Sequence, residues 1–328
     1  MTPNEQAAVP AFSPPRRWRN GHLQTLWPAL FRRVGIGAPV RERIPTPDDD
    51  FLDLDWYRAG HSRLLVISHG LEGNSRRPYI LGLARAALGS EWDVLAWNFR
   101  SCGGELNRQP RFYHSGESGD LDLVLCHGLR RGYTEIALGG FSIGGNMTLV
   151  YLGERGEHIP AAVKGAVVFS TPCDLAGGAG RLAEPKNRLY MHRFMRQLRR
   201  KMRQKHALFP DRIPLAGLDK MRTFHDFDDR YTAPLHGFKS ARDYWERCSG
   251  AGFIANIRAP VLIVNALDDP FLSAGCFPRS EVAANPQVIL ETPHHGGHVG
   301  FITRLGDPVY WSESRALAFF EEITSAPK

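Results

Sequence analysis

The serine at position 142 lies between two glycines in the pattern GFSIG at residues 140–144. The segment before it, EIALGG, is typical of a buried strand, and the residues after it are typical of a helix. A serine on a tight strand-to-helix turn has cramped backbone torsion angles, and glycines two residues before and after it leave room for close packing. Such a turn exposes the hydroxyl above the sheet, so Ser142 is a candidate nucleophile. The structural alternative is a glycine-lined turn in which the serine caps the helix.

A serine hydroxyl attacks a carbonyl carbon efficiently only when a base takes its proton, and that base needs an anionic group to hold its tautomer. Where a serine occupies this kind of turn, the acid and then the histidine follow it in the chain. Two acids, Asp268 and Asp269, follow the apolar run Val261–Val264, and the later loop HHGGH at residues 294–298 supplies three imidazoles. These residue types in this order predict acyl transfer through a covalent intermediate on Ser142.

Attack on a carbonyl also needs hydrogen-bond donors for the oxygen that becomes negatively charged. The apolar run Leu64–Ser68 ends in the motif HGLEG at residues 69–73. At this place the backbone N–H after His-Gly is the usual first donor, and the N–H after the nucleophile is the second. We therefore expect the backbone N–H groups of Leu71 and Ile143 to form the oxyanion hole. His69 is expected to order the turn rather than to act as the base.

Two clusters of potential metal ligands have weaker support. The histidines of the loop at 294–298 lie at positions i, i+1 and i+4 across a Gly-Gly pair, so they lack the helical geometry of an H-E-x-x-H zinc site. Asp48–Asp50, with Asp53 and Asp55, suggest a calcium loop but lack the loop glycine and the terminal glutamate of an EF-hand. We expect a solvated turn there, no bound metal and no cofactor.

The chain that must position these residues alternates between short apolar runs and helix-like segments. Buried strands are predicted where β-branched or large apolar residues cluster, at Leu64–Ser68, Val94–Trp97, Ile136–Leu138, Val163–Phe169, Val261–Val264 and Val288–Leu290. In the segment Leu52–Trp56 apolar residues alternate with aspartates, which predicts a half-exposed strand. Helices are predicted at Tyr79–Leu88, Leu121–Leu129, Asn146–Glu154 and Ser314–Glu322. This rhythm predicts an α/β fold with a doubly wound, mostly parallel sheet and helices on both faces.

The alternation of strands and helices stops after Phe169 and resumes only at Val261. A helical insertion of this length usually covers the carboxyl edge of the strands, where ligands bind, so we predict a helical lid at about residues 172–255. Apolar side chains recur at helical spacing in its basic stretch Asn187–His206, at Met191, Phe194, Met195, Leu198 and Met202. They are expected to bury one face of a lid helix while the arginines stay in water. An interface with anionic lipid is the functional alternative.

Composition places the chain among globular proteins. Hydrophobic residues make up 43% of its 328 residues and charged residues 23%, so disordered and fibrous classes are excluded. The net charge of +7 could suggest a nucleic-acid partner, but ten of the Lys and Arg residues lie between Arg181 and Lys205 with a single glutamate. Because the basicity is local and no nucleic-acid-binding motif accompanies it, we expect no nucleic-acid partner.

The N-terminal region predicts no targeting segment. No apolar run approaches the roughly 20 residues that a membrane span needs, and the chain starts without the apolar stretch and cleavage site of a signal peptide. Five scattered cysteines without a C-x-x-C pair are typical of a reducing compartment, so we expect a cytoplasmic protein. Residues 1–50 are expected to form an N-terminal arm, whose amphipathic segment Gly21–Arg33 packs on the body or weakly contacts a membrane surface.

Taken together, the motifs resemble those of the YheT-like branch of the α/β-hydrolase superfamily, a relative of the abhydrolase-domain lipases and the plant embryogenesis-associated proteins. The matching motifs span most of the chain, at Asn20–Thr25, Asp50–Trp56, His69–Gly73, Tyr113–Gly116, Gly140–Gly144, Asn265–Pro270 and Gly296–Phe301. The resemblance implies an α/β-hydrolase domain over residues 51–328. It also implies that Ser142 is the nucleophile, Asp269 the acid and His298 the base.

Two details of the resemblance concern single positions. Asp269 is preferred to Asp268 because it fits the G-x-x-D register of the superfamily, with Ala266 in the glycine position. The loop RSCGGE at residues 100–105 departs from its relatives, which tend to have Arg-Gly-Cys-x-Gly-Glu. This departure concerns the shape of the pocket rather than the chemistry.

The expected function is a serine hydrolase that cleaves carboxylic esters, as an esterase or lipase does, through a Ser-Asp-His triad and an acyl-enzyme. Its substrate would be a small-molecule or lipid ester, and the basic lid offers a surface for peripheral contact with an anionic membrane. Two alternatives stay open: an acyltransferase that passes the acyl group to an alcohol or thiol, and a non-catalytic, ligand-binding member of the fold. No oligomeric state follows from the sequence.

Overall fold

The computed structural model describes residues 9–325, which fold around a sheet of eight strands. The strands are β1 (Val40–Thr46), β2 (Asp50–Tyr57), β3 (Arg63–Ser68), β4 (Trp92–Asn98), β5 (Glu135–Phe141), β6 (Val163–Phe169), β7 (Val261–Val264) and β8 (Val288–Glu291). Their order across the sheet is β1-β2-β4-β3-β5-β6-β7-β8. β2 runs antiparallel to β1 and β4, and all other pairs are parallel. The predicted, mostly parallel sheet is confirmed.

Helices connect most of these strands. They are α1 (Gly21–Phe31), α2 (Pro78–Leu88), α3 (Ser118–Arg130), α4 (Ile143–Arg155), α5 (Leu175–Ala183), α6 (Arg188–Leu208), α7 (Phe224–Phe227), α8 (Ala233–Leu235), α9 (Ala241–Cys248), α10 (Arg279–Ala283) and α11 (Trp311–Ser325). A π-helical turn at Asp228–Thr232 joins α7 to α8. Within residues 9–325, none of the helices has the length and apolarity needed to cross a membrane.

The central strands are buried on both faces. On β3, Leu64 and Val66 belong to the hydrophobic cluster that contains residues of α3 and α4, whereas Leu65 and Ile67 belong to the cluster that contains residues of α2 and α11. A strand covered by helices on both sides needs apolar residues at consecutive positions, which is why short continuous apolar runs identified these strands. The doubly wound arrangement is therefore confirmed.

The prediction of a half-exposed strand at Leu52–Trp56 is wrong, since every residue of β2 is buried. The reason is β1, a strand that the sequence pattern did not predict and that pairs with β2. Arg41 Nε of β1 lies 2.7 Å from Asp55 Oδ1, and Arg43 Nε lies 2.8 Å from Asp53 Oδ1. Each aspartate is thus buried as half of an ion pair instead of facing water.

The expected turn at Asp48–Asp50 is present and leads into β2, and Asp49 is exposed, but the turn is only partly solvated because Asp50 is buried and Asp48 is half-buried. The buried Arg100 donates hydrogen bonds to Oδ2 of Asp48 and Oδ2 of Asp50, both at 2.9 Å, and to Oδ2 of Asp120 at 2.8 Å. A buried guanidinium needs such partners, so two of the three consecutive aspartates balance a charge from another part of the chain.

The segment between β6 and β7, where we predict the lid, contains α5 to α9. In α6 the expected apolar face is present, since Met191, Met195, Leu198 and Met202 are buried and Phe194 is partly buried. The bounds of the lid and the boundary at residue 50 stay predictions.

The basic residues of α6 do not all face water. Lys201 Nζ contacts the Glu72 carboxylate, and Lys205 Nζ donates to the carbonyl oxygen of Gln109 at 2.6 Å. Both lysines are buried, and burial lowers the pKa of Lys205 to about 7. The exposed positive charges of the helix therefore come from its arginines, among them Arg196 and Arg200.

Candidate active site

Ser142 occupies the turn between β5 and α4, with φ 56° and ψ −125°. A positive φ is rare for a residue with a Cβ and costs about 1–3 kcal/mol, a strain that clusters at functional sites. A Cβ on Gly140 would lie 2.7 Å from the Cα of Gly145, and one on Gly144 would lie 2.5 Å from the carbonyl oxygen of His69, so both positions require glycine. The Ser142 side chain makes no capping hydrogen bond to α4. The alternative of a simple helix cap is therefore excluded.

His298 and Asp269 are joined by a hydrogen bond of 2.9 Å between Nδ1 of the ring and Oδ2 of the carboxylate. The Asp269 side chain is fully buried, and its Oδ1 accepts the backbone N–H of Phe271 at 2.8 Å. A carboxylate beside Nδ1 holds the proton on that nitrogen, so Nε2 is left as an acceptor. This is the tautomer that a general base requires.

Asp268, the other candidate acid, points to different partners. Its Oδ1 accepts the backbone N–H of Gly297 at 2.8 Å, and its Oδ2 lies 3.3 Å from Nδ1 of His295. Burial raises the pKa of the Asp268 carboxyl above its ordinary value. Asp268 thus supports the histidine loop, and the structure pairs Asp269, not Asp268, with His298.

The histidine loop is also fixed by side chains that the chemical reasoning from the sequence missed. Gln24 of α1 is fully buried, donates to the carbonyl oxygen of Ile302 at 3.0 Å and accepts the N–H of the same residue at 2.7 Å. Thr25 accepts the backbone N–H of His298, and Ser170 accepts that of Val299. Gln24 and Thr25 belong to the motif Asn20–Thr25, which is among the motifs that carry the family resemblance. The sequence did not indicate what these two residues do.

The motif HGLEG forms the turn that brings Leu71 to the serine. A Cβ on Gly70 would lie 3.1 Å from the Cβ of Ser142. Nδ1 of His69 donates to the Gly70 carbonyl at 2.7 Å, and its Nε2 accepts the N–H of Phe99 at 3.1 Å. Burial lowers the pKa of His69 to about 3, so the ring is neutral. The prediction that His69 orders this turn is confirmed.

A second contact, from α6, holds the same turn. Glu72 has φ 51°, accepts the hydroxyl of Tyr113 at 2.7 Å and contacts Nζ of Lys201. Although burial by itself lowers the pKa of the Lys201 ammonium group, the nearby Cys102 thiol and Glu72 carboxylate raise it above its ordinary value. A buried ion pair thus ties α6 to the loop of the expected oxyanion donor Leu71.

The residues of the two expected donors share a cavity with the serine. Leu71, Ser142, Ile143 and His298 all line one cavity of about 820 Å³, a volume that includes its opening to solvent. The N–H of Ile143 is the first of α4, and the first N–H groups of a helix have no intrahelical acceptor. In the described part of the chain no hydrogen bond joins Ser142 Oγ to His298, a contact that in unliganded enzymes often tightens only with substrate.

The cavity is mainly apolar and lies under the segment between β6 and β7. Its apolar walls include Phe112, Leu175, Leu182, Leu198, Phe224, Phe227 and Trp245. Among the ionisable side chains of the lining, Asp228 is half-buried in the π-helical turn and accepts the Thr232 hydroxyl at 2.6 Å and the Trp245 N–H at 2.9 Å. Burial raises the pKa of Asp228 to about 6. The cavity suits an apolar chain that ends at Ser142.

Potential metal ligands come together at one place among residues 9–325, and it is not the loop at 294–298. His114, Glu117 and His236 bring ligand atoms within 4.8 Å of one another. The N–H of Gly116 donates to Nδ1 of His114 at 3.1 Å, so the proton of the neutral ring lies on Nε2, which faces Glu117 at 3.5 Å. Arg111 already pairs with Glu117 at 2.9 Å. These contacts engage His114 and Glu117 with other protein groups, whereas Nε2 of His236 is buried without a hydrogen-bond partner among the described residues.

The chain is similar to known proteins over most of its length. The alpha/beta hydrolase fold family matches residues 63–305. YheT of Escherichia coli, provisionally named an esterase, is 39% identical over 320 residues, which are 95% of this chain and 93% of YheT. Phospholipase ABHD3 of Mus musculus is 29% identical over 273 residues, which are 80% of this chain and 66% of that protein. The solved esterase Pf2001 of Pyrococcus furiosus shares the fold, with a TM-score of 0.59 at 17% identity over 89% of this chain and 96% of that chain.

Proposed function

The chain belongs to the alpha/beta hydrolase family and to its YheT-like branch, and from this premise we propose that it hydrolyses carboxylic esters through Ser142, His298 and Asp269. The observation that carries the proposal is the meeting of three features at one cavity. A strained serine lies on the turn before α4, a histidine is held by a buried carboxylate, and both side chains line the same apolar space.

The reaction we propose has two halves. Ser142 Oγ attacks the carbonyl carbon while His298 Nε2 takes its proton, and the N–H groups of Leu71 and Ile143 stabilise the resulting oxyanion. The bond to the alcohol oxygen then breaks, and His298 gives its proton to the departing alcohol. A water molecule, deprotonated by the same histidine, attacks the acyl-enzyme, and the acid leaves as Ser142 regains its proton. Asp269 stabilises the imidazolium that forms twice in this cycle.

The cavity supports an ester with an apolar acyl chain. Its volume of about 820 Å³ falls in the range of small-molecule sites, and its aromatic and aliphatic walls favour a hydrocarbon. One relative is named a phospholipase, which is consistent with a lipid ester as the substrate. We therefore propose medium or long acyl esters as the substrate class.

Covalent labelling tests the proposal directly. A fluorophosphonate probe should label the wild-type protein at Ser142, and Ser142→Ala should lose the label. The same variant should lower kcat/KM on p-nitrophenyl octanoate by at least about 10³-fold, because the serine supplies the covalent step. Ser280→Ala, at an exposed serine of α10, is the matched control and should keep both label and rate. A Ser142→Ala protein with a tenth of the wild-type rate would refute the mechanism.

Product analysis separates hydrolysis from acyl transfer. With octanoyl ester and an added alcohol or thiol, a hydrolase releases octanoate at a rate that the acceptor leaves unchanged. An acyltransferase would instead form the new ester or thioester and little octanoate. Labelling of Ser142 without turnover of any ester would favour the ligand-binding alternative.

A further inference from the structure

Two cavities meet at Ser142. The second one has a volume of about 980 Å³, including its mouth, and it shares Leu71, Ser142, Phe194, Phe271 and His298 with the apolar cavity. An ester consists of an acyl half and an alcohol half, joined at the carbonyl carbon that the serine attacks. A serine at the junction of two cavities can therefore receive one half in each.

The second cavity differs from the first in charge. Its lining includes Arg32, Arg77 and Arg193 and contains no carboxylate among the described residues. Arg32 is neutralised, since its Nη1 and Nη2 lie 2.6 and 3.0 Å from the two carboxylate oxygens of Glu313. The positive charge of the cavity beside Ser142 therefore comes from Arg77 and Arg193.

Neither of these two arginines has an acidic partner in residues 9–325. Arg77 donates from Nη2 to the Glu72 carbonyl oxygen at 2.8 Å, and no carboxylate oxygen lies within 4.0 Å of Arg77 or Arg193 there. Partial desolvation lowers the pKa of the Arg193 guanidinium, and the positive charges of Arg77 and Arg196 lower it further, because like charges disfavour the charged form. Arg100, by contrast, is buried with three aspartates around it.

We propose that the second cavity binds the alcohol half of the ester and selects substrates in which that half carries an anionic phosphate or carboxylate group, bound by Arg193 and Arg77. Guanidinium groups bind both anions through paired hydrogen bonds, and an anion would relieve the repulsion between the two arginines. The proposal rests on the proposed ester hydrolysis and adds a substrate class to it. The apolar cavity keeps the acyl chain.

The chemistry of the two steps agrees with this division. When the ester bond breaks, the acyl group stays on Ser142 Oγ in the apolar cavity, and the alcohol oxygen takes its proton from His298. The alcohol then leaves through the second cavity with its anionic group unchanged. The vacated space admits the water that attacks the acyl-enzyme, so the anion is bound for the acylation step alone.

The test compares substrates that share one acyl chain. Below their micelle concentrations, kcat/KM is measured for 1-octanoylglycerol and for 1-octanoylglycerol 3-phosphate. We expect wild-type protein to prefer the phosphate by at least about tenfold at low salt, with the preference falling as salt is raised. A monoester of suberic acid, whose extra carboxylate lies on the acyl half, should show no such preference over the octanoate ester. Equal rates for the first two substrates, or a preference for the suberate, would overturn the proposal.

Variants locate the anion site. Arg193→Gln should bring the ratio of the two kcat/KM values close to one, Arg193→Lys should keep part of it, and Arg77→Gln should lower it. Arg188→Gln is the matched control on the same helix, since Arg188 is exposed and outside the cavity, and should leave the ratio unchanged. A ratio that survives in the Arg77→Gln, Arg193→Gln double variant would overturn the proposal.

Inhibition by a free anion shows whether the site binds the anion without the ester. Together with labelling and turnover, it also separates this proposal from the proposed ester hydrolysis. Glycerol 3-phosphate should inhibit hydrolysis of 1-octanoylglycerol competitively in wild-type protein and more weakly in Arg193→Gln. Absence of that inhibition, together with equal rates on the two esters, would refute the anion site. If 1-octanoylglycerol is hydrolysed and Ser142 is labelled in that case, the ester hydrolase proposal still stands. If neither ester is hydrolysed and no label forms, the ester hydrolase proposal itself fails.

Discussion

The backbone N–H of His298 donates to Oγ1 of Thr25 at 2.8 Å, which joins the histidine loop to a helix 273 residues earlier in the chain. The same hydroxyl donates to the carbonyl oxygen of Gly21 at 2.6 Å, so it bridges α1 and the loop. A Cβ on Gly297 would lie 2.7 Å from the Cβ of Gln24, which shows how closely the two segments pack. The first helix is thus part of the support of the proposed base.

Thr25→Val is expected to lower kcat about tenfold with little change in KM. The valine keeps the shape of the side chain but removes the acceptor that fixes His298, and small displacements of a base reduce its efficiency. Thr25→Ser keeps the hydroxyl and should restore most of the rate. Thr303→Val is the control, because it removes a 2.8 Å hydrogen bond to Asp307 outside the site. Wild-type kcat in Thr25→Val would show that Thr25 does not position the base.

Asp269→Asn is expected to lower kcat by about 10⁴-fold, since without the carboxylate the imidazole takes the wrong tautomer. Asp268→Asn, one residue earlier, should cost far less, because Asp268 contacts Gly297 and His295 rather than His298. Steady-state kinetics on p-nitrophenyl octanoate measure both losses, and each variant serves as the matched control of the other. A reversed order of the two losses would make Asp268 the acid.

The stability of the protein should fall as the pH is lowered from about 6.5 toward 3, in part because of His114. Burial lowers the pKa of this ring to about 3, whereas an unfolded histidine titrates near 6.5. Between these values the unfolded chain binds a proton that the folded chain does not. The free energy of unfolding therefore decreases with falling pH, by at most about 1.4 kcal/mol per pH unit for one such group.

Urea unfolding of His114→Asn between pH 4 and 6 tests this contribution. The asparagine oxygen can accept the Gly116 N–H that Nδ1 accepts at 3.1 Å, and the variant cannot take up a proton there. Its free energy of unfolding should therefore depend less steeply on pH than that of the wild type. His158→Asn, at an exposed histidine, should keep the wild-type slope. Parallel curves for wild type and His114→Asn would contradict the assignment.

Turnover of lipid esters should be faster on anionic than on neutral vesicles at low salt. Arg196 and Arg200 are exposed on α6, a helix that also exposes Leu189 to 76%. Each arginine near an anionic surface adds about 1 kcal/mol. Arg196→Glu with Arg200→Glu should abolish the difference. Arg199 and Arg203 are left unchanged because they contact Met221 and Asp219.

The control for that experiment is Arg58→Glu with Arg130→Glu, two exposed arginines outside α6, which should keep the difference. Added salt should reduce the advantage of anionic vesicles, since exposed charges are screened. Equal rates on the two vesicle types at low salt would show that these arginines form a solvent-exposed surface that does not bind the membrane.

The sequence by itself determined the elements that depend on neighbouring residues. The parallel strands followed from short apolar runs, and Val261–Val264 has the predicted bounds. The turn at Ser142 followed from its two glycines, because close packing of a strand-to-helix turn leaves no room for a Cβ at these positions. These patterns act over a few residues, so they can be read without knowing what the chain packs against.

Tertiary structure alone decided where charge is buried and which groups meet. A charged residue in a sequence usually indicates an exposed position. Nevertheless, Asp53, Asp55 and Lys201 are buried, because an oppositely charged side chain from another segment pairs with each of them. Arg77 and Arg193 of the second cavity lie at the N-terminal boundary of α2 and on α6, 116 positions apart, and show no common pattern. The free energy of a charged side chain depends on what surrounds it, and those surroundings exist only once distant segments have packed.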